Sequence, residues 1–206
     1  SSIWRDKFLL YVVLGYVYFW FAGALIRQNI IKFSGVTLQV GEDMTSFLLV
    51  AVAIGIGFGA ITAGFLSRGK IEMGMVPLGA LGMMIFSGFL AIPAGFYELL
   101  VLGPLGLPLP ITYYALIGVF IFGLGFFAGF FDVPLAAAIQ QRAPANIKGG
   151  VIATTNMLTF VGMAGSSVLF LALGSLGFSP HGVFLAGGLF SLAMGLYINI
   201  RIPNLL

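Results

Sequence analysis

Long uncharged apolar runs alternate along this chain with short polar links. No charged residue occurs over residues 44–67 or 73–97, and the link between those runs holds Arg68, Lys70 and Glu72. Each run exceeds the roughly 20 apolar residues that cross a bilayer core of about 30 Å as a helix. Neither carries the polar stripe at every third or fourth position that marks a helix on a soluble core. The pattern therefore predicts two membrane-spanning helices joined by a tight basic hairpin. Small residues such as Gly55 and Gly59 fit that reading, because helices in lipid approach closely where side chains are small.

The same criterion applied along the chain predicts six spans, over residues 5–33, 44–66, 72–96, 111–141, 150–173 and 182–200. Gly35 and Gly41-Glu42-Asp43 mark the first loop, and the connector 103–110, with three prolines, excludes regular helix. No strand pattern competes, so the fold class is an all-α membrane protein, a six-helix transmembrane bundle.

Composition agrees: 60% of residues are hydrophobic and only 7% charged, against about a quarter charged in soluble domains. Mean hydropathy is +1.13. Nine Lys and Arg residues in 206 form no patch for nucleic acid, and they read instead as topology signals. Arg5, Lys7, Arg68, Lys70, Arg142, Lys148 and Arg201 fall on the side of the N-terminus, and Arg27 and Lys32 on the other. Seven against two places both termini in the cytoplasm. The absence of Cys excludes disulfides and thiolate metal sites; no cofactor or metal is expected. A chain that begins at Ser1 rather than Met reads as an excerpt of a longer one.

Polar residues within the apolar runs are the candidate chemistry. Arg27-Gln28-Asn29 lies about 30 Å of helix rise beyond Lys7, near the side opposite the N-terminus. Arg27 either snorkels to anchor the helix end or binds a phosphate, whose oxygens match the guanidinium fork. Asp132 is the one acid inside a long apolar run, and such acids are costly enough to suggest function. With Gly125, Gly129, Ala136 and Gln140 it forms one helix face. That face can line a cavity or gate, with proton or sodium coupling as one use, or pack as a seam, with Pro134 permitting a bend. Thr155, Thr159, Gly162 and Ser166, with Asn156 beside them, form a second stripe that reads chiefly as helix-packing contacts. Ser166 and His181 suggest an intramembrane serine protease, but the Ser lies about 10 Å inside one span and the His opens the next at the interface. A nucleophile and its base need hydrogen-bond distance, so no enzyme is expected.

The sequence Gly64-Phe65-Leu66-Ser67-Arg68-Gly69-Lys70 resembles a shortened form of the loop signature of the major facilitator superfamily, lacking its Asp. Gly64, Arg68, Gly69 and Lys70 carry the match, and they are the expected gating-loop residues. Transporters of that superfamily comprise two six-helix halves. Four further stretches resemble the bacterial lysophospholipid transporter family, most closely the version fused to an acyltransferase and an acyl-ACP synthetase. They are Tyr18-Phe19-Trp20-Phe21-Ala22-Gly23-Ala24-Leu25, Gly69-Lys70-Ile71-Glu72-Met73-Gly74, Val76-Pro77-Leu78-Gly79-Ala80-Leu81-Gly82-Met83 and Val133-Pro134-Leu135. The ending Arg201-Ile202-Pro203-Asn204-Leu205-Leu206 resembles that family's exit toward the acyltransferase.

The resemblance implies the C-terminal half of a transporter in the bacterial inner membrane. It implies lysophospholipid moved from the outer to the inner leaflet for reacylation, the missing N-terminal half as partner, and contact with membrane lipids. The candidate substrate-binding residues are Arg27, Gln28, Asn29, Asp132 and Asn156. A facilitator for a small solute or drug is the alternative.

Overall fold

A computed structural model describes residues 6–99, 104 and 111–202. Arg5, the connector 103–110 apart from Pro104, and the ending 203–206 lie outside the described residues. Those described are helical throughout their regular structure, in the order α1 (Lys7–Lys32), α2 (Glu42–Ser67), α3 (Met75–Leu90), α4 (Ala94–Tyr97), α5 (Ile111–Arg142), α6 (Lys148–Ser175) and α7 (Pro180–Arg201). Five are long and apolar enough to cross a membrane; α3 is apolar but shorter.

The ends of the helices follow from local chemistry. Asp6 caps α1, its carboxylate accepting from the backbone N–H groups of Phe8 at 3.0 Å and Leu9 at 3.2 Å. The expected end of that span near residue 33 is corrected: the chain winds on as a π-helical turn, Phe33–Leu38, and stops at Gln39 with φ 52°. Burial holds the extra turn. Phe33 is fully enclosed edge-on to His181 and Phe184, and the Ser34 hydroxyl donates to the Ile30 carbonyl. Glu42 and Asp43, expected in a loop, form the first turn of α2, where their charge suits the positive end of the helix dipole.

The third predicted span is also corrected, because it breaks after Leu90. Pro93 lacks an N–H and disfavours helix at the residue before it. Two side chains bind carbonyls at the break: His181 donates from Nδ1 to Leu90 at 2.9 Å, and the Tyr97 hydroxyl donates at 2.6 Å to Phe89, which also accepts from the Ile92 N–H. His181 is thus a structural ligand of the broken helix.

Packing places α5 in the middle. It lies against α2, α3 and α1, while α3 also packs on α7, and α1 on α6 and α7. The predicted link between the second and third spans is tight, with Arg68 (φ 47°) and Gly69 (φ 77°) both left-handed. The two helices it joins do not pair extensively; each packs on α5 instead. The α2–α5 contact is a seam of glycines from both sides. A Cβ on Gly55 would collide with the Phe122 carbonyl oxygen, and one on Gly59 with that of Phe126. From the other side, Gly125 meets Val52, and Gly129 meets Ala60 and Ile56. At the end near the N-terminus, Arg142 pairs with Asp6 at 3.7 Å and covers the Phe8 ring.

Candidate functional site: a cavity with one cation and one acid

A cavity of about 910 Å³ is lined by residues of α1, α2, α5 and α6, with one from α3. Helical spacing puts the lining there. On α1 the residues Trp20, Gly23, Ala24 and Arg27 share a face, as do Leu49, Val52, Ala53 and Ile56 on α2. Gly125, Ala128 and Asp132 come from α5, Met163, Ala164 and Ser167 from α6, and Met83 from α3. The wall is mostly apolar, with a few polar groups on it, the general character of a small-molecule site.

Arg27 and Asp132 are the lining's one basic and one acidic residue among those described. Arg27 is exposed to the cavity, with no hydrogen bond, ion pair or ring contact among the described residues. Asp132 has one carboxylate oxygen, Oδ1, that is buried without a hydrogen-bond partner. Gln28 also lines the cavity, and its amide donates to the Ala24 carbonyl at 3.2 Å and to Ser166 Oγ at 3.4 Å.

Two expected members lie elsewhere. Successive residues of a helix point about 100° apart, so three in a row cannot share one face. Asn29 turns inward, fully buried, and donates to the Pro180 carbonyl at 2.9 Å. Asn156 is exposed on α6, outside the lining. The stripe beside it, Thr155, Thr159 and Ser166, is buried, and Gly162 approaches Val17 of α1. The α5 stripe divides: Gly125 and Gly129 meet α2, Gly125 and Asp132 line the cavity, and Gln140 is exposed. Gly64, Arg68, Gly69 and Lys70 sit at the exposed end of α2 and in its turn, away from this cavity. The described residues contain no cluster of His, Cys, Asp or Glu suited to a metal ion.

Sequence reasoning missed Trp20, Ser167 and the apolar α2 wall. The signal existed in the four-residue recurrence along α1, but an apolar lining and a lipid-facing surface have the same composition.

No family model matches the chain, and no solved structure matches it. It is 31% identical over 160 residues to the lysophospholipid transporter LplT of Yersinia pestis (strain Pestoides F), covering 75% of this chain and 34% of that protein. The same figures hold for LplT of Yersinia pseudotuberculosis serotype O:3 (strain YPIII). The chain spans about a third of the length of the curated relatives it matches. These relatives are named as transporters. The five long apolar helices are those of a multi-pass α-helical membrane protein, and over the matched residues the chain is similar to membrane transporters.

Proposed function

We propose that this chain is the C-terminal six-helix half of a major-facilitator transporter that moves lysophospholipids from the outer to the inner leaflet of a bacterial inner membrane, for reacylation. The observation that carries the reading is Arg27, a cation without a partner among the described residues, on the wall of a large apolar cavity. A phosphate fits the guanidinium, and an acyl chain fits the rest. The helical run continues to Leu38, eleven residues past Arg27 (38 − 27), so Arg27 lies about 16 Å below its end. Similarity to the LplT transporters supports the substrate class.

On this reading the open face of α1, α2, α5 and α6 meets the N-terminal half, since such transporters hold substrate between two repeats and rock one against the other. The longer protein would also carry the acyltransferase and acyl-ACP synthetase. The test is reconstitution in liposomes. The complete transporter should take up lysophospholipid, and residues 1–206 alone should take up none. Uptake of a small polar solute with no lysophospholipid transport would favour the alternative facilitator. Robust lysolipid uptake by the 206-residue chain would overturn the half-transporter assignment.

Orientation has its own check, helped by the absence of native Cys. Single Cys residues replacing Arg68 and Lys148 should resist an impermeant thiol reagent applied to intact cells, and one at Pro108 should react. Labelling at Lys148 from outside would reverse the assignment of both termini to the cytoplasm.

A further inference from the structure

We infer that a second pocket, at the Asp6 end of the bundle, binds the anionic headgroup of a two-chain phospholipid of the phosphatidylglycerol type. The lipid comes from the leaflet on the side of the N-terminus. This pocket is separate from the cavity around Arg27, and the inference does not depend on what that cavity carries.

The first support is where the pocket stands. Phe8, Ile71, Met73, Gln141 and Arg142 line it, around a volume of about 250 Å³. They come from the start of α1, the link between α2 and α3, and the end of α5. Phe8 and Met73 each open an uncharged apolar run, over residues 8–26 and 73–97. The pocket therefore lies where the hydrocarbon of the bilayer gives way to headgroups. Its volume falls below the roughly 300 Å³ at which small-molecule pockets begin. Such a space takes a headgroup and leaves the acyl chains in the bilayer.

The second support is the chemistry of the walls. Arg142 Nε meets Asp6 at 3.7 Å, beyond hydrogen-bond length, and the guanidinium carbon lies 5.0 Å from the centre of the Phe8 ring. Charge and ring hold the planar group in place, yet none of its N–H donors has a hydrogen bond among the described residues. The fork is free to take two phosphate oxygens. Gln141, exposed beside it, can add a neutral donor. Phe8, Ile71 and Met73 supply an apolar floor that suits a lipid's glycerol and first methylenes and offers a free phosphate ion nothing. The surrounding field has the same sign. Among the described residues Lys7, Arg68, Lys70, Arg142, Lys148 and Arg201 lie at this end, against Asp6 and Glu72. Basic side chains at a membrane surface draw anionic lipids.

The experiment uses the complete transporter in a neutral detergent. It reads the apparent affinity for dioleoylphosphatidylglycerol from the rise in melting temperature with lipid concentration. Dioleoylphosphatidylcholine, whose phosphate is balanced by its own cation, should give little rise. Arg142→Gln should weaken the affinity for the anionic lipid about tenfold, the scale of losing one charge-assisted hydrogen bond. Asp6→Asn should strengthen it by up to about fivefold, because Asn still caps α1 while the competing charge is gone. Misfolding cannot produce that gain. Arg201→Gln removes a cation at the same end but outside the pocket, and should leave the affinity unchanged. An unaltered affinity in Arg142→Gln, or an equal loss in Arg201→Gln, would overturn the inference. So would an equal rise with phosphatidylcholine, or with glycerol 3-phosphate, which would mark a site for free phosphate esters. Failure of lysophospholipid uptake would sink the transport reading and leave this site standing, since binding is read without transport.

Discussion

Gly59→Ala will lower the thermal stability of the folded protein in detergent, and Gly59→Leu will prevent it from folding, whereas Gly57→Ala will not destabilise it. The difference lies in what each glycine faces. A methyl group on Gly59 would enter the Phe126 carbonyl, which is backbone and cannot swing aside, so α2 and α5 must separate. Overpacking of this kind costs about 1–3 kcal/mol for small additions. The loss spreads along the seam, because Gly55, Gly125 and Gly129 depend on the same spacing. Gly57, two residues away, has nothing within 4 Å of an added Cβ. There the change relieves the helix of glycine's conformational entropy, by up to about 1 kcal/mol. The measurement is melting of the purified protein by size-exclusion recovery after heating. Equal losses at both positions would mean that general helix properties, and not the seam, decide the effect.

That seam illustrates how far the sequence could be read. Glycines at positions 55 and 59 announced a close helix contact, and those at 125 and 129 a face that could line a cavity or pack as a seam. They did not announce that the two pairs meet each other, because spacing marks a face and leaves its partner open. For the same reason the short basic link suggested a hairpin of adjacent helices, whereas α5 takes both of its arms. Span positions were legible because the length of an uncharged run is set by bilayer thickness. Two ends were not. The turn at Phe33–Leu38 depends on burial against α7, and the break after Leu90 on carbonyl partners, His181 and Tyr97, the first of them far along the chain.

The site was legible in its charged members for a different reason. A charge in a long apolar run stands out whatever surrounds it, so Arg27 and Asp132 were visible before any geometry. Their meeting on one cavity was not, since it depends on how α1 and α5 are rotated about their axes. Nor was the separation of Asn29 from Arg27. Three adjacent polar residues read as one cluster along the chain, but the helix sends the third into the protein to hold the Pro180 carbonyl.

Arg27→Lys will weaken lysophospholipid uptake by roughly tenfold in apparent affinity, and Arg27→Ala will weaken it further. Lysine keeps the charge and can snorkel as well as arginine, so an anchor would tolerate it freely. A phosphate clamp would not, because the ammonium is a point charge without the planar fork that holds two oxygens. Losing one charge-assisted hydrogen bond costs on the order of 1.5–3 kcal/mol, and each 1.4 kcal/mol is about a factor of ten. The cavity's apolar wall strengthens the expectation, since few neighbouring groups can take over the contact. Gln28→Ala should be milder, because its amide is already engaged with Ala24 and Ser166 and a neutral donor contributes less. The measurement is concentration-dependent uptake by the complete transporter, with the amount inserted in the membrane determined for each variant. Unaltered uptake in both Arg27→Lys and Arg27→Ala would return Arg27 to the role of an anchor. The phosphate site would then belong to the half of the transporter that faces this one.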